Sequence, residues 1–115
     1  MPGKVVVLVS SGKDQKPKVL TALTLAAVGK QNKLFDDLRV IFFGPSEELV
    51  AARDPDVMKL LDQLNSAGEK PLACQVVAQS FGLTDALKTV TSIQLTMVGP
   101  VIAELAGRGY EFLTF

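Results

Sequence analysis

The sequence predicts an α/β fold, a three-layer α/β/α sandwich around a mostly parallel five-stranded sheet of the Rossmann-like kind. Short apolar strands alternate along the chain with helical segments through short links, which is typical of this architecture. Two of the strands are runs dominated by β-branched, leucine and aromatic residues, as in strands buried on both faces of a parallel sheet. The 115 residues, 48% of them hydrophobic, suffice for one domain spanning residues 1–115.

The first βαβ unit is the clearest element. Residues 5–9 (VVVLV) and 38–43 (LRVIFF) predict the first two strands. Between them Pro17 opens a helix whose apolar positions, from Val19 to Ala27, form one wide stripe. Residues 29–37 contain the end of this helix and the loop back to the sheet.

The second long helix has a strong start signal. After a short helix or turn at residues 46–53, Asp54 suits an N-cap and Pro55 the first helical position. Apolar residues follow at helical spacing through Leu64, and Gly68 fits the C-terminal cap.

The last part of the chain alternates shorter elements. Residues 70–74 predict a third strand, where Pro71 suits the first strand position or an edge. The remaining predicted elements are a short helix at 76–81, a second short helix that Thr84 caps, a strand at 92–96, a helix opened by Gly99 and Pro100 and stopped by Gly107 and Gly109, and a strand at 111–115.

Composition excludes several classes of function. With no His, the chain cannot supply a Ser/His/Asp or Cys/His pair or the commonest zinc ligand. One Cys excludes an intramolecular disulfide and a Cys-x-x-Cys pair, and suits a reducing cytosol. The net charge of zero gives no general attraction to nucleic acid or anionic membranes. We therefore expect a cytoplasmic protein with no metal site and no nucleic-acid or membrane partner.

Ligands of open α/β sheets bind beyond the carboxyl ends of the strands, so residues 10–16, 44–48, 74–77 and 97–100 are the candidate loops. The first loop has the glycine, hydroxyls and lysine that suit a phosphate, but neither of the glycine-rich nucleotide motifs. Nucleotide binding and an ordinary polar loop both remain open there. The predicted pocket residues are Ser10, Ser11, Gly12, Lys13, Gly44 and Pro45.

Cys74 is the candidate nucleophile. It falls where a strand gives way to a helix, so the backbone N–H groups of Gln75, Val76 and Val77 and the helix dipole would favour its thiolate. A nearby cation such as Lys13 or Lys70 would reinforce this effect. The alternative is that Cys74 is a small core residue, as a single Cys in an apolar strand often is.

The carboxylates and the lone tyrosine predict no competing site. Asp36 and Asp37 are expected in a solvated loop, and Glu47 and Glu48 at a helix start, where the dipole favours negative charge. Tyr110 is expected to pack in a glycine-rich corner.

Over essentially its whole length the sequence resembles the DsrE/DsrF-like family of small sulfur-relay proteins. The resemblance rests on motifs in order: residues 4–12 (KVVVLVSSG), residues 40–46 (VIFFGPS) with Leu49, residues 72–74 (LAC), residues 82–83 (GL) and residues 111–115 (EFLTF). Cys74 matches the position of the sulfur-accepting Cys of active family members.

The resemblance implies a sulfurtransferase or sulfur carrier that holds sulfane sulfur as a persulfide on Cys74. It implies no bound cofactor, and partners that are sulfur donor and acceptor proteins or small sulfane-sulfur compounds. It also implies a homo-oligomer, a trimer or hexamer. The alternative function is a non-enzymatic ligand-binding or oligomeric module of the same fold.

Overall fold

A computed structural model describes residues 3–115 and contains a five-stranded, all-parallel sheet in the order β4-β3-β2-β1-β5. The strands are β1 (Lys4–Val9), β2 (Asp37–Phe42), β3 (Leu72–Cys74), β4 (Gln94–Thr96) and β5 (Glu111–Thr114). The helices are α1 (Lys16–Gln31), α2 (Ser46–Ala51), α3 (Pro55–Ser66), α4 (Gln75–Ser80), α5 (Thr84–Lys88) and α6 (Val98–Gly107), with a 3-10 turn at Lys13–Gln15. The predicted α/β class and parallel sheet are confirmed.

The central strand β1 is buried on both faces, as its unbroken apolar run predicts. It pairs in parallel with β2 and with β5, so that Val6 lies beside Arg39 and Phe112. Because side chains alternate across a strand, Val5, Val7 and Val9 point to one face and Val6 to the other.

Helices cover both faces of the sheet. On one face α1 and α3 pack against each other and against the side chains of Val5, Val7 and Val9. On the other face α6 contributes Val98 and Leu105 to a smaller cluster with Val6 and Cys74. The sandwich therefore has one thickly covered face and one face covered mainly by a single helix.

The start of α3 forms as predicted. The Asp54 carboxylate accepts hydrogen bonds from the backbone N–H groups of Asp56 (3.0 Å) and Val57 (3.2 Å), and Pro55 is the first helical residue. These bonds satisfy two N–H groups that have no partner within the helix. Beyond the C-terminus Gly68 has φ +94°, the left-handed conformation in which glycine commonly ends helices.

Several predicted boundaries shift by a residue or two. Helix α1 starts at Lys16 rather than Pro17, and β3 starts at Leu72, so that Pro71 directly precedes the strand and only its carbonyl pairs, by accepting from the Gln94 N–H at 2.9 Å. Thr84 does not cap α5, because Leu83 occupies the N-cap position and no side-chain cap bond forms. Among residues 3–115, none of the helices has the length and apolar character needed to cross a membrane.

Candidate functional site

The loops that follow β1 and β2 pack tightly against each other at the carboxyl edge of the sheet. A Cβ atom on Gly12 would lie 2.7 Å from the Pro45 Cβ, which leaves space only for a glycine. Gly44 has φ +124°, and a Cβ there would lie 2.9 Å from the Ser10 Oγ. The two loops thus form one packed unit.

The backbone of the first loop is already hydrogen-bonded to the protein. The N–H groups of Ser10 and Ser11 both donate to the Phe115 carbonyl, at 2.8 and 3.1 Å, and the Ser10 carbonyl accepts from the Ser46 N–H at 3.1 Å. The Ser46 hydroxyl donates to the Val9 carbonyl at 2.6 Å. The N–H groups of Ser10 and Ser11 are therefore occupied within the protein and are not available to a phosphate.

Cys74 ends β3 and is the N-cap residue of α4, with extended backbone angles of φ −74° and ψ 120°. Its side chain is 4% exposed and belongs to the apolar cluster beneath α6, with Val6, Ile41 and Val98. The predicted position at a strand-to-helix junction is therefore observed, but most of the residue's surface is buried.

Cys74 lines an apolar depression of about 370 Å³. Three of its other lining residues are large, half-exposed hydrophobic side chains: Phe43 (38%), Val76 (50%) and Met97 (50%). The remaining lining residues are Val77, Val98, Gly99 and Pro100. A small molecule or a segment of another protein that enters this depression would reach the vicinity of the thiol without contacting a charged side chain of the lining.

The structure brings only part of the predicted site to Cys74. Val76 and Val77 line the depression beside it, whereas the Gln75 side chain is exposed and does not. None of the predicted pocket residues lines it, and these residues are Ser10, Ser11, Gly12, Lys13, Gly44 and Pro45. For the four residues of the first loop strand order is the reason, because β2 lies between β1 and β3 and places that loop about 10 Å to the side.

The predicted cation is likewise absent from the lining of this depression. Lys13 lines a separate depression with Glu48, and Lys70 lines a third one with Asn65. Lys70 precedes β3, so it lies at the amino end of the strand whose carboxyl end carries Cys74. No lysine therefore lines the depression beside the thiol, and the polar groups that follow Cys74 directly in the chain are the backbone N–H groups at the start of α4.

Sequence reasoning missed Phe43, and it included Met97 only as part of the candidate loop 97–100, not among the predicted pocket residues. Phe43 directly follows β2, and Met97 directly follows β4. These two strands flank β3 in the sheet. The signal is present in the sequence, but it is readable only once the order of the strands is known.

Glu47 and Glu48 lie in the first turn of α2, as expected, but Glu47 is not a solvent-facing residue of that turn. Its side chain is fully buried, at 0% exposure. The Oε2 atom accepts a long hydrogen bond from the Gly44 N–H at 3.4 Å, and Oε1 is buried without a hydrogen-bond partner among the described residues. Burial raises the pKa of the Glu47 carboxyl to about 7, against the opposing effect of the backbone N–H groups of Gly44 and Cys74.

The opposite edge of the sheet holds a separate polar cluster. Asp37 accepts a hydrogen bond from the Tyr110 hydroxyl, so only Asp36 fits the expected solvated loop. Buried Glu69 accepts from the Val40 N–H at 2.8 Å and lies 3.9 Å from the Lys30 Nζ. This cluster ties α1 and the loop before β3 to β2. Among residues 3–115 there is no group of three His, Cys, Asp or Glu side chains placed to hold a metal ion.

Comparisons with known proteins agree on a family and a fold. A family model, the DsrE/DsrF-like family, matches residues 3–115. Among solved structures, BT1422 from Bacteroides thetaiotaomicron, a conserved protein of unknown function, is 22% identical, with 96% of this chain and 94% of that chain covered and a TM-score of 0.79. The ychN protein from E. coli is 15% identical, with 97% and 99% covered and a TM-score of 0.73.

A third solved structure extends the likeness to an archaeal protein. MTH1491 from Methanobacterium thermoautotrophicum, also of unknown function, is 12% identical over the whole of both chains, with a TM-score of 0.60. At these identities the solved structures show a shared fold. A comparison with curated proteins gives no match.

Proposed function

Because the chain belongs to the DsrE/DsrF-like family, whose known chemistry is sulfur relay, we propose that it is a carrier of sulfane sulfur that holds the sulfur as a persulfide on Cys74. The observation that carries the proposal is the position of the thiol. Cys74 lies at the carboxyl edge of the parallel sheet and lines an apolar depression there. This edge is where open α/β sheets bind their ligands.

The transfer needs a single thiolate and no cofactor. The Cys74 sulfur attacks the outer sulfur of a donor persulfide, R–S–SH, and forms a new S–S bond while the donor S–S bond breaks. Cys74–S–SH is produced and R–S⁻ leaves. An acceptor thiolate then attacks the outer sulfur of Cys74–S–SH in the same way, and the Cys74 thiolate is regenerated.

The apolar lining suits a persulfide intermediate. Persulfides lose their outer sulfur to any thiolate that reaches them, so a carrier must exclude small thiols and water between donor and acceptor. Phe43, Val76 and Met97 surround the thiol with hydrophobic surface that stays half exposed. The N–H groups of Gln75, Val76 and Val77, in the first turn of α4, supply the partial positive charge near the sulfur.

We also propose a homo-oligomer, a trimer or hexamer, assembled through the thinly covered face of the sheet. This face carries partly buried hydrophobic residues around α6, among them Leu8, Val101, Ile102 and Phe112. Sedimentation velocity measures the assembly state directly, and a monomer at cellular concentrations would contradict this part of the proposal.

The rival function is a ligand-binding or oligomeric module in which Cys74 is a core residue. The 4% exposure of Cys74 favours it. The rate of alkylation by iodoacetamide distinguishes the two functions. A carrier should react in the native state, whereas a core thiol should react only on unfolding.

The decisive test is the intact mass of the protein after exposure to a low-molecular-weight persulfide or polysulfide. We expect wild-type protein to gain one sulfur atom that dithiothreitol removes, and Cys74→Ser to gain none. Met97→Ala is the matched pocket variant, and it should load faster because the depression around the thiol is wider. Equal sulfur gain in wild type and Cys74→Ser, or no gain in either, would contradict the function.

A further inference from the structure

We propose that the apolar depression at Cys74 selects sulfur donors whose organic group is small, apolar and uncharged, and that Met97 helps to set this selectivity. The inference names the substrate class of the proposed sulfur carrier and rests on that function. The recognition of apolar groups by the depression is a separate property, and it can be measured without sulfur transfer.

The first observation is the chemistry of the lining. Apart from the Cys74 thiol, the depression is lined by apolar side chains, a glycine and a proline. Three other depressions on the surface of residues 3–115 differ, because each includes at least one lysine, namely Lys30, Lys13 or Lys70. The absence of charge is thus a feature of the depression at the thiol and not of every depression in this protein.

The second observation is that the chain segments that build the depression are themselves free of charge. Its lining residues come from residues 40–46, 71–84 and 89–103, and none of these segments contains Asp, Glu, Lys or Arg. Charged residues make up 21% of the whole chain, so their absence from all three segments distinguishes this edge of the sheet. Glu47 follows the first segment, but its carboxyl is fully buried and does not line the depression. An anionic donor would find no cation in these segments.

The charge of the attacking thiolate also disfavours an anionic donor. When Cys74–S⁻ attacks R–S–SH, the products are Cys74–S–SH and R–S⁻, so the site carries one negative charge before and after the transfer. A carboxylate or sulfonate on R would bring a second negative charge to the same apolar site. At a separation of about 7 Å and an effective dielectric constant of about 20, this repulsion slows the attack roughly 50-fold. Loss of hydration of the anion slows it further.

The size and surface of the depression favour a short apolar group. A volume of about 370 Å³ corresponds to roughly a dozen non-hydrogen atoms, if each takes the volume of a water molecule, about 30 Å³. Phe43, Val76 and Met97 are half exposed, so an alkyl group that enters removes apolar surface of both partners from water. Each methylene that is fully buried raises the affinity by up to about fourfold.

The test compares how fast Cys74 reacts with methanethiosulfonates, CH₃SO₂–S–R, that differ in R. The Cys74 thiolate attacks the sulfur that carries R, Cys74–S–S–R forms, and methanesulfinate leaves with the electron pair of the broken S–S bond. Intact mass follows the reaction, with Cys74→Ser as the blank. Each rate is divided by the rate of mercaptoethanol with the same reagent, which removes differences in intrinsic reactivity.

We expect the relative rate to rise from methyl to butyl, by up to about fourfold for each methylene. The anionic 2-sulfonatoethyl reagent should react at least about tenfold more slowly than the neutral propyl reagent. Equal relative rates for these two reagents, or a thiol that none of the reagents modifies in the native protein, would overturn the proposal.

Two substitutions of Met97 test the selectivity from the side of the protein. Met97 is half exposed, so its replacement leaves the core intact. Met97→Lys places a cation beside the depression and should raise the ratio of the 2-sulfonatoethyl rate to the propyl rate about five- to tenfold. Met97→Gln has a similar length and no charge, and it should change this ratio by less than about twofold. The same ratio in both variants would overturn the role of Met97.

The selectivity and the carrier function fail in different ways. Sulfur gain from a persulfide, together with equal rates for the neutral and anionic reagents, would refute the selectivity and leave the carrier function intact. Selectivity among the thiosulfonates without sulfur gain from propyl persulfide or its sulfonated counterpart would refute the carrier function and the donor class, and it would leave an apolar binding site at Cys74.

Discussion

Replacing the buried carboxyl of Glu47 with an amide should make the protein more stable at alkaline pH and leave its stability unchanged at acid pH. In the folded protein the pKa of this carboxyl is raised to about 7 from the ordinary value of 4.5. The folded state therefore holds a proton between these values that the unfolded state releases. Wild-type stability should fall as pH rises from about 4.5 to about 7.

The size of the effect follows from the same two values. Each pKa unit corresponds to 1.36 kcal/mol, so the ionised carboxyl costs wild type about 3 kcal/mol at pH values above 7 relative to acid pH. Glu47→Gln is isosteric and cannot ionise, so it should escape this loss. We expect the difference in the free energy of unfolding to be near zero at about pH 4.5 and to reach about 3 kcal/mol at about pH 8.5.

Urea unfolding of wild type and Glu47→Gln across this pH range measures the difference directly. Glu69 also has its pKa raised by burial, but it is present in both proteins and cancels in the comparison. Glu48→Gln should follow the wild-type curve. If the Glu47→Gln and wild-type curves run parallel with pH, the carboxyl is ionised in the native state throughout, and the reasoning on burial is wrong.

Three further substitutions test the packing, each by urea unfolding. Asp54→Ala should lower the free energy of unfolding by about 1 to 2 kcal/mol, because the α3 cap is lost. The control Asp56→Ala removes an exposed side chain and should change the free energy of unfolding by less than about 0.5 kcal/mol. Gly44→Ala should lower the free energy of unfolding by more than about 1 kcal/mol, because φ is +124° and the new Cβ would lie 2.9 Å from the Ser10 Oγ. In the control Gly99→Ala the new Cβ meets open space, so this substitution should not lower the free energy of unfolding. Leu61→Ala should cost about 2 to 5 kcal/mol, since the side chain is fully buried in the larger core, and a smaller loss would mean that the core collapses around the gap.

The fold was readable from the sequence because its main elements are encoded locally. The apolar run of β1 and the mostly apolar β2, which Arg39 interrupts, indicate strands buried between two layers, and the spacing of Val57, Leu61 and Leu64 matches one face of a helix. The cap at Asp54 is likewise a local feature, because its partners are two and three residues away. The predicted strand boundaries were two residues too early at the short strands β3 and β4, where the β-propensity of the sequence is weak.

The site was only partly readable because it depends on which strands become neighbours. Cys74 was identifiable from its strand-to-helix junction, but its surroundings come from the loops after β2 and β4, which are distant in sequence. The burial of Glu47 has the same kind of cause. Ser46 is fastened to the end of β1 by its hydroxyl and its N–H, and this turns the first residues of α2 inward. The sequence of residues 46–49 (SEEL) contains no pattern that predicts these hydrogen bonds.

The absence of His gives the raised pKa of Glu47 its significance. Histidine is the side chain whose ordinary pKa lies near neutrality, and with none in the sequence the protein has no such group to exchange a proton with a thiol. A carboxyl can take that place only if burial raises its pKa, and the price is the stability lost when it ionises. Burial raises the pKa of the Glu47 carboxyl to about 7. The stability that wild type loses between acid and neutral pH is thus the expected consequence of burying a carboxyl that titrates near neutrality.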